Sequence, residues 1–445
     1  MSSGLGGFIH DLTYADLPDE VVDQARRCLL DLVGVAAAGS TTQMSRIARA
    51  HAAHQLRGDS RTARLLFDGR SVSPVGAALA NAATIDAMDA HEGHRLAKGH
   101  AGAAVLPAAL ALLDGDVSST GRDLLTALVV GYEVAIRAGV VLHATAADYH
   151  SSGAWNAIGA AAIGARVLDL DSHATEHALG IAEYHAPRAP MMRAIAHPTM
   201  VKDSSAWGAH AGTSAALLAA DGFTGAPAAV LNADAEPWSD LGRRWTILEQ
   251  YFKPYPVCRW AHPAVHGVLT LVIDADLMPE AIERINVTTF DPATRLLTRL
   301  PATTEEAQYS LPFAVAAAAV YRALPLDVVA HPERAGEDVR RLASRMRVTE
   351  STEMTTAFPR ARLADIAVVR TDGRRLSSGP VTAPGDAERP LSDDDLAAKF
   401  LASTAAVIDA GRARHLLRTL RAVDDHELAD LDGIYGSEPV GMAIT

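Results

Sequence analysis

The hydrophobic pattern along the chain falls into two regimes. Up to about His266, long runs of small apolar residues recur with polar breaks between them. The stretch "DLPDEVVDQARRCLLDLVGVAAAG" has Pro18 early, acids in its first turn and Gly39 at its close, which predicts a capped helix over about 17–39. Further helices are predicted in "VSPVGAALANAATIDAM", "GAAVLPAALALL", "GRDLLTALVVGYEVAIRAGVVL", "AWNAIGAAAIGARVLDLD" and "GAHAGTSAALLAADG". Many of these are apolar on most faces, as helices buried inside a helical domain are. They share no fixed period, so a solenoid is not indicated.

Beyond His266 the pattern changes. "EAIERINVTTF" and "LADIAVVRTDGRRLSS" alternate with β-branched residues, and Asp372-Gly373 predicts a hairpin turn. A helical run, "AQYSLPFAVAAAAVYRAL", lies between them, and after the turn-rich "VTAPGDAERPLSDDD" helices return in "LAAKFLASTAAVIDA" and "GRARHLLRTLRAV". The expected architecture is mainly α with a smaller α+β domain. A large helical domain is built from both chain ends (1–265 and 391–445), and an α+β lid (266–390) is inserted towards the C-terminal third. Clefts between such units are favoured ligand sites.

Composition agrees with this picture. The chain has 445 residues, too many for one core, with 49% hydrophobic and only 5% aromatic residues, the apolar share being largely alanine. A net charge of −13 without a basic block argues against nucleic acid or an anionic membrane as partner. An anionic substrate would need cations concentrated locally. Cys28 and Cys258, the two cysteines, do not suggest a disulfide framework or an iron–sulfur cluster. The N-terminal stretch lacks a secretory pattern, and no uncharged apolar run reaches the roughly 18 residues of a membrane span, so a cytoplasmic protein is expected.

The candidate chemistry is concentrated. "DAMDAHEGHRLAKGHAGAAVLPAALAL" gathers Asp89, His91, Glu92, His94, Lys98 and His100 ahead of an apolar helix. The bland reading is a polar loop whose histidines cap or solvate helix ends. A divalent ion on His91, His94 and His100 with Asp89 or Glu92 is a second reading. Against it, His-Glu-x-His lacks the His-Glu-x-x-His spacing that puts two ligands one helical turn apart. In a third, imidazole and carboxylate carry protons beside a Lys98 that holds a substrate carboxylate. His150 precedes a small-residue helix, Lys202 another. Lys253, Cys258, Arg259 and His262 lie among Phe252, Tyr255 and Trp260, as an anion site or as an aromatic-anchored connector.

In order along the chain, "CLLDLVGVAAAG", the cluster above, "GYEVAIRAG", "YHSSGAWNAIGAAAIGARVLDLD", "MVKDSSAWGAHAGTSAALLAADGFTGAP", "FKPYPVCRWAHPAVHG", "AQYSLPFAVAAA" and "PGDAERPLSDDDLAAKF" resemble the MmgE/PrpD family. The resemblance implies a helical main domain with an inserted lid, a homodimer, and chemistry on di- or tricarboxylates without cofactor or metal. It places Asp89 and His100 on the first active-site motif, and His150, Lys202 and Lys253 on later ones. His91-Glu92-Gly93-His94 replaces the family's Asp-Asp-Thr run, and Cys258 stands where decarboxylase-like members carry a histidine, with His262 four positions on.

The reading is therefore a lyase, first a hydro-lyase on a hydroxylated polycarboxylate. An epimerase or isomerase of an iminodisuccinate-like compound, a decarboxylase of a cis-aconitate-like acid and an inactive carboxylate-binding protein are its alternatives. Asp89, His91, His94, His100, His150 and Lys202 are the expected catalytic groups, and Lys98, Lys253, Cys258, Arg259 and His262 the substrate contacts.

Overall fold

A computed structural model describes residues 3–115, 118–231 and 236–436. The chain is mainly helical with small sheets. The first predicted helix runs over Asp19–Ser40, started by Pro18, and the later ones over Pro74–Asp86, Gly102–Leu113, Gly121–Thr145, Gly153–Val167 and Ser205–Ala220. These pack on one another through alanine and glycine faces, because small side chains let helix axes approach closely. Gly121–Thr145 is long and apolar enough to cross a bilayer, yet nearly all of it is buried inside the protein. Its two inner charges pair, Arg137 with Glu133 at 3.2 Å, and Glu133 also accepts the Ile247 N–H at 2.8 Å, so neither charge lies uncompensated.

One core cluster draws on side chains from Leu5 to Phe252 and again from Leu391 to Tyr435. A second takes Met191, Ile195 and side chains from Val257 to Val368. It contains a four-stranded sheet in the order Arg347–Glu350, Ile282–Thr289, Ala364–Arg370, Arg375–Val381. Its first pair is parallel and the other two are antiparallel. The Asp372-Gly373 turn closes the last hairpin, with Gly373 at φ 82°. The run around Ala307 splits into Thr304–Gln308 and Leu311–Tyr321, because Ser310 caps a new helix and Pro312 opens it.

Two short features set up the site. Gly93–His94 pairs antiparallel with Gln250–Tyr251, tying the polar cluster to the connector that carries Lys253. Asp89, Lys98, Lys202 and Ser204 all hold left-handed backbone, with φ of 48°, 55°, 49° and 59°. Non-glycine residues adopt this region rarely and at some cost, and such strain gathers at functional sites.

Candidate active site

A cavity of about 530 Å³, counting its open mouth, is lined by residues of both core units. Asp89, Arg95, Lys98, His100 and Asp203 come from the helical part. Tyr251, Lys253, Cys258 and Arg259 come from the connector, and Tyr309 and Arg362 from the second unit.

Its centre is a buried ion pair. Lys253 Nζ lies 2.6 Å from Asp89 Oδ1 and also donates to the Asp89 carbonyl at 2.8 Å. Burial opposes ionisation of Asp89, but the ammonium groups of Lys253 and Lys202 outweigh it and hold the carboxyl well below its usual range. Burial likewise opposes the charge on Lys253, and Asp89 outweighs it, so its pKa is raised. The second carboxylate oxygen, Asp89 Oδ2, is buried with no hydrogen-bond partner.

His100 stands beside this pair. Its Nδ1 contacts the Glu92 carbonyl, and its backbone N–H donates to Ser152 Oγ at 2.9 Å. A carbonyl only accepts, so Nδ1 carries the hydrogen and Nε2 keeps the lone pair. Burial, followed by the charges of His91 and Lys253, pushes the imidazole well below its usual pKa. It is a neutral base at pH 7. Ser152 Oγ donates in turn to Asp203 Oδ2, and the Ser152 N–H donates to Asp203 Oδ1 at 3.0 Å. Burial first, and then the charge of Asp86, raises the Asp203 carboxyl to about 7, where it can both hold and give up a proton. Burial lifts the Cys258 thiol to about 12, leaving it protonated and weakly nucleophilic.

The remaining sequence candidates stand behind this front. His91 Nε2 meets Asp86 Oδ1 at 3.2 Å, and its ring lies edge-on to His100, centroids 4.3 Å apart. His94 accepts from the Ala97 N–H through Nδ1 and faces Glu249 at 3.4 Å. Glu92 receives the Gly102 N–H and the Tyr132 hydroxyl, anchoring the start of helix Gly102–Leu113. His150 Nδ1 contacts the Asp148 carbonyl at 2.8 Å. Lys202 donates to Gln308 over the face of Tyr309. His262 lies between Arg259 and the Val257 carbonyl. Asp89, Lys98, His100, Lys253, Cys258 and Arg259 thus meet on the cavity wall, while His91, His94, His150, Lys202 and His262 support it from outside the lining.

Residues 3–237 match the MmgE/PrpD N-terminal domain and residues 255–425 the MmgE/PrpD C-terminal domain. The chain belongs to the MmgE/PrpD family. Cis-aconitate decarboxylase of Homo sapiens is 28% identical over 447 residues, covering 94% of this chain and 91% of that protein. The Mus musculus cis-aconitate decarboxylase is 25% identical, over 96% and 91%. The cis-aconitate decarboxylase-like protein oryM of Aspergillus oryzae is 30% identical over 51% of this chain and 48% of its own.

Within this MmgE/PrpD chain, Asp86, Asp89 and His91 bring three possible metal-ligand atoms within 4.8 Å of one another. The Lys253 ammonium already holds Asp89 there, so a cation would compete with a buried lysine. The set His91, His94 and His100 does not form a candidate metal group among the described residues: His91 Nε2 turns to Asp86, His94 Nδ1 takes the Ala97 N–H, and His91 Nδ1 and His100 Nδ1 both contact the Glu92 carbonyl. Sequence reasoning missed Asp203, Tyr149, Tyr251, Tyr309 and Arg362. Asp203 adjoins Lys202 and Tyr251 lies two places before Lys253, so proximity was a usable signal for both. Arg362, ahead of a strand in a different unit, had none.

Proposed function

We propose that this chain is a lyase acting on a di- or tricarboxylate through a carbanion generated next to a carboxylate, with elimination of water as the first reading of the step that follows. The supporting observation is a neutral histidine base and a carboxylic acid of near-neutral pKa on the wall of one cation-bearing cavity. His100 Nε2 would take the α-proton, and the electron pair would move into the substrate carboxylate, whose growing charge Lys253 stabilises. As the C–O bond breaks, Asp203 would give its proton to the departing hydroxyl, so that water and an alkene leave together. The relatives' names favour a second reading, decarboxylation. There the C–C bond to one carboxylate breaks, carbon dioxide departs, and the electron pair left on carbon is protonated by Asp203.

Proton NMR in D₂O, with citrate, 2-methylcitrate, cis-aconitate and malate-type acids, tests both. Elimination gives a new alkene from a hydroxy acid, and decarboxylation gives a deuterated product one carbon shorter. Neither product nor exchange from any acid would refute the lyase reading. His100→Ala should cost about 10²–10⁴-fold in turnover with the fold unchanged.

A further inference from the structure

Two guanidinium groups flank the Tyr251 ring, Arg259 at 5.1 Å and Arg362 at 5.0 Å from its centroid. They share one counter-charge: Asp386 lies 3.0 Å from Arg259 and 3.5 Å from Arg362. Their donors are spent differently. Arg259 gives hydrogen bonds to the Pro384 carbonyl at 2.9 Å and the Ala383 carbonyl at 3.5 Å, and contacts His262 at 3.1 Å. Arg362 is only 7% exposed, and its Nε and Nη1 are buried without a hydrogen-bond partner. Lys253 already gives two of its three N–H bonds to Asp89, and Lys202, outside the lining, donates to Gln308. Among the described residues lining the cavity, Arg362 is the cation with buried nitrogens that have no hydrogen-bond partner, and one carboxylate cannot neutralise two guanidinium groups.

We propose that Arg362 is the specificity-determining clamp for the substrate carboxylate that does not react, and that it selects acids carrying a carboxylate remote from the Asp89–Lys253–His100 centre. A remote carboxylate supplies the acceptors Arg362 lacks and the second negative charge that a shared Asp386 does not provide, and charge-assisted hydrogen bonds in a buried site are the strong ones. Arg259 is a positioning residue: its bonds fix Asp386, and Asp386 with Tyr251 orients Arg362. Because Arg362 belongs to the unit containing the sheet, and Asp89 and His100 to the helical part, a bound polycarboxylate spans both. The inference rests on the polycarboxylate reading of the cavity and adds which residue reads the far end.

Calorimetric binding in the His100→Ala background, where turnover is slowed by about 10²–10⁴-fold, tests it with three ligands: cis-aconitate, citraconate and methylenesuccinate. Each of the last two lacks one terminal carboxylate of the first. Arg362→Gln, checked for wild-type melting, should weaken cis-aconitate by about 10–100-fold. That loss should persist with one truncated acid and shrink below about threefold with the other, because only one of them keeps the clamped carboxylate. Arg362→Lys, which keeps the charge but not the planar donor set, should remain weaker than Arg362. Equal losses for all three ligands, no loss, or no binding of cis-aconitate at all would overturn the proposal. Failure of the reaction reading looks different: the pattern of losses would stand while the wild type turned over none of the acids.

Discussion

The Asp89–Lys253 pair gives a prediction whose size can be worked out. Both side chains are almost fully buried, with 5% and 1% of their surface exposed, and Asp89 has left-handed backbone that asparagine tolerates. Asp89→Asn therefore removes the charge while keeping shape and backbone. Lys253 is left as a buried cation without its counter-charge, and breaking a buried pair in this way costs about 3–5 kcal/mol. At roughly 2.1 cal/mol/K per residue, a cooperatively melting chain of 445 residues has an unfolding entropy near 0.9 kcal/mol/K, so Tm should fall by about 3–5 °C. Lys253→Met should cost a similar amount, whereas the double variant removes both charges and should recover at least about 2 kcal/mol of the summed loss. The sign with pH follows from the two shifts. The depressed Asp89 contributes stability above its unfolded pKa that disappears as pH falls through the folded one, and the raised Lys253 contributes below its unfolded pKa and loses it as pH rises through the folded one. The deficit of Asp89→Asn should therefore be greatest between about pH 4 and 10 and shrink at both extremes. Urea unfolding of the four proteins across that range is the assay. A coupling energy below about 0.5 kcal/mol at pH 7 would refute the claim that these two charges form one energetic unit.

Two other outcomes are expected. Burial raises the thiols of Cys28 and Cys258, the latter to about 12, so a thiol reagent at pH 8 should find neither in the folded protein and both after denaturation; a fast-reacting native thiol would contradict this. Asp203, raised from 3.8 to about 7, disfavours the folded state once ionised, so wild-type stability relative to Asp203→Asn should fall as pH rises from about 4 to 7, by roughly 4 kcal/mol in all. A stability difference that stays flat over that range would show that Asp203 ionises normally.

Much of the architecture was legible because its helices are long, capped and apolar on most faces. Asp19–Ser40 lies within a residue or two of its predicted limits, and the Asp372-Gly373 hairpin is where the turn chemistry put it. The site was legible in part. Asp89, His100 and Lys253 carry ionisable side chains in segments dense with other polar groups, and they meet on the cavity. Composition could not tell them from His91 and His94, because the difference is one of direction: His91, two residues past the left-handed Asp89, faces Asp86, and His94, on the short ladder, faces Glu249. The tight spacing of His91-Glu92-Gly93-His94 does have a physical reason visible only in three dimensions. A Cβ on Gly93 would lie 2.5 Å from the Tyr251 hydroxyl and 2.7 Å from His100 Nδ1, so glycine is what lets the tyrosine and the histidine close over that backbone. Arg362 was invisible because its meaning depends on which other donors are already spent.

The two-residue ladder between Gly93–His94 and Gln250–Tyr251 has a consequence in time as well as in space. It joins parts of the chain so distant that Asp89 and Lys253, which it brings together, are 164 positions apart. Contacts of such long range form only after a large loop-closure entropy has been met, and they are the slow ones. The helices can form beforehand, each from local sequence, without any cavity existing. Reactivity should therefore lag behind helical signal during refolding. A local opening of this short ladder in the finished protein would also withdraw the lysine and the tyrosine together, switching the site off without melting a single helix.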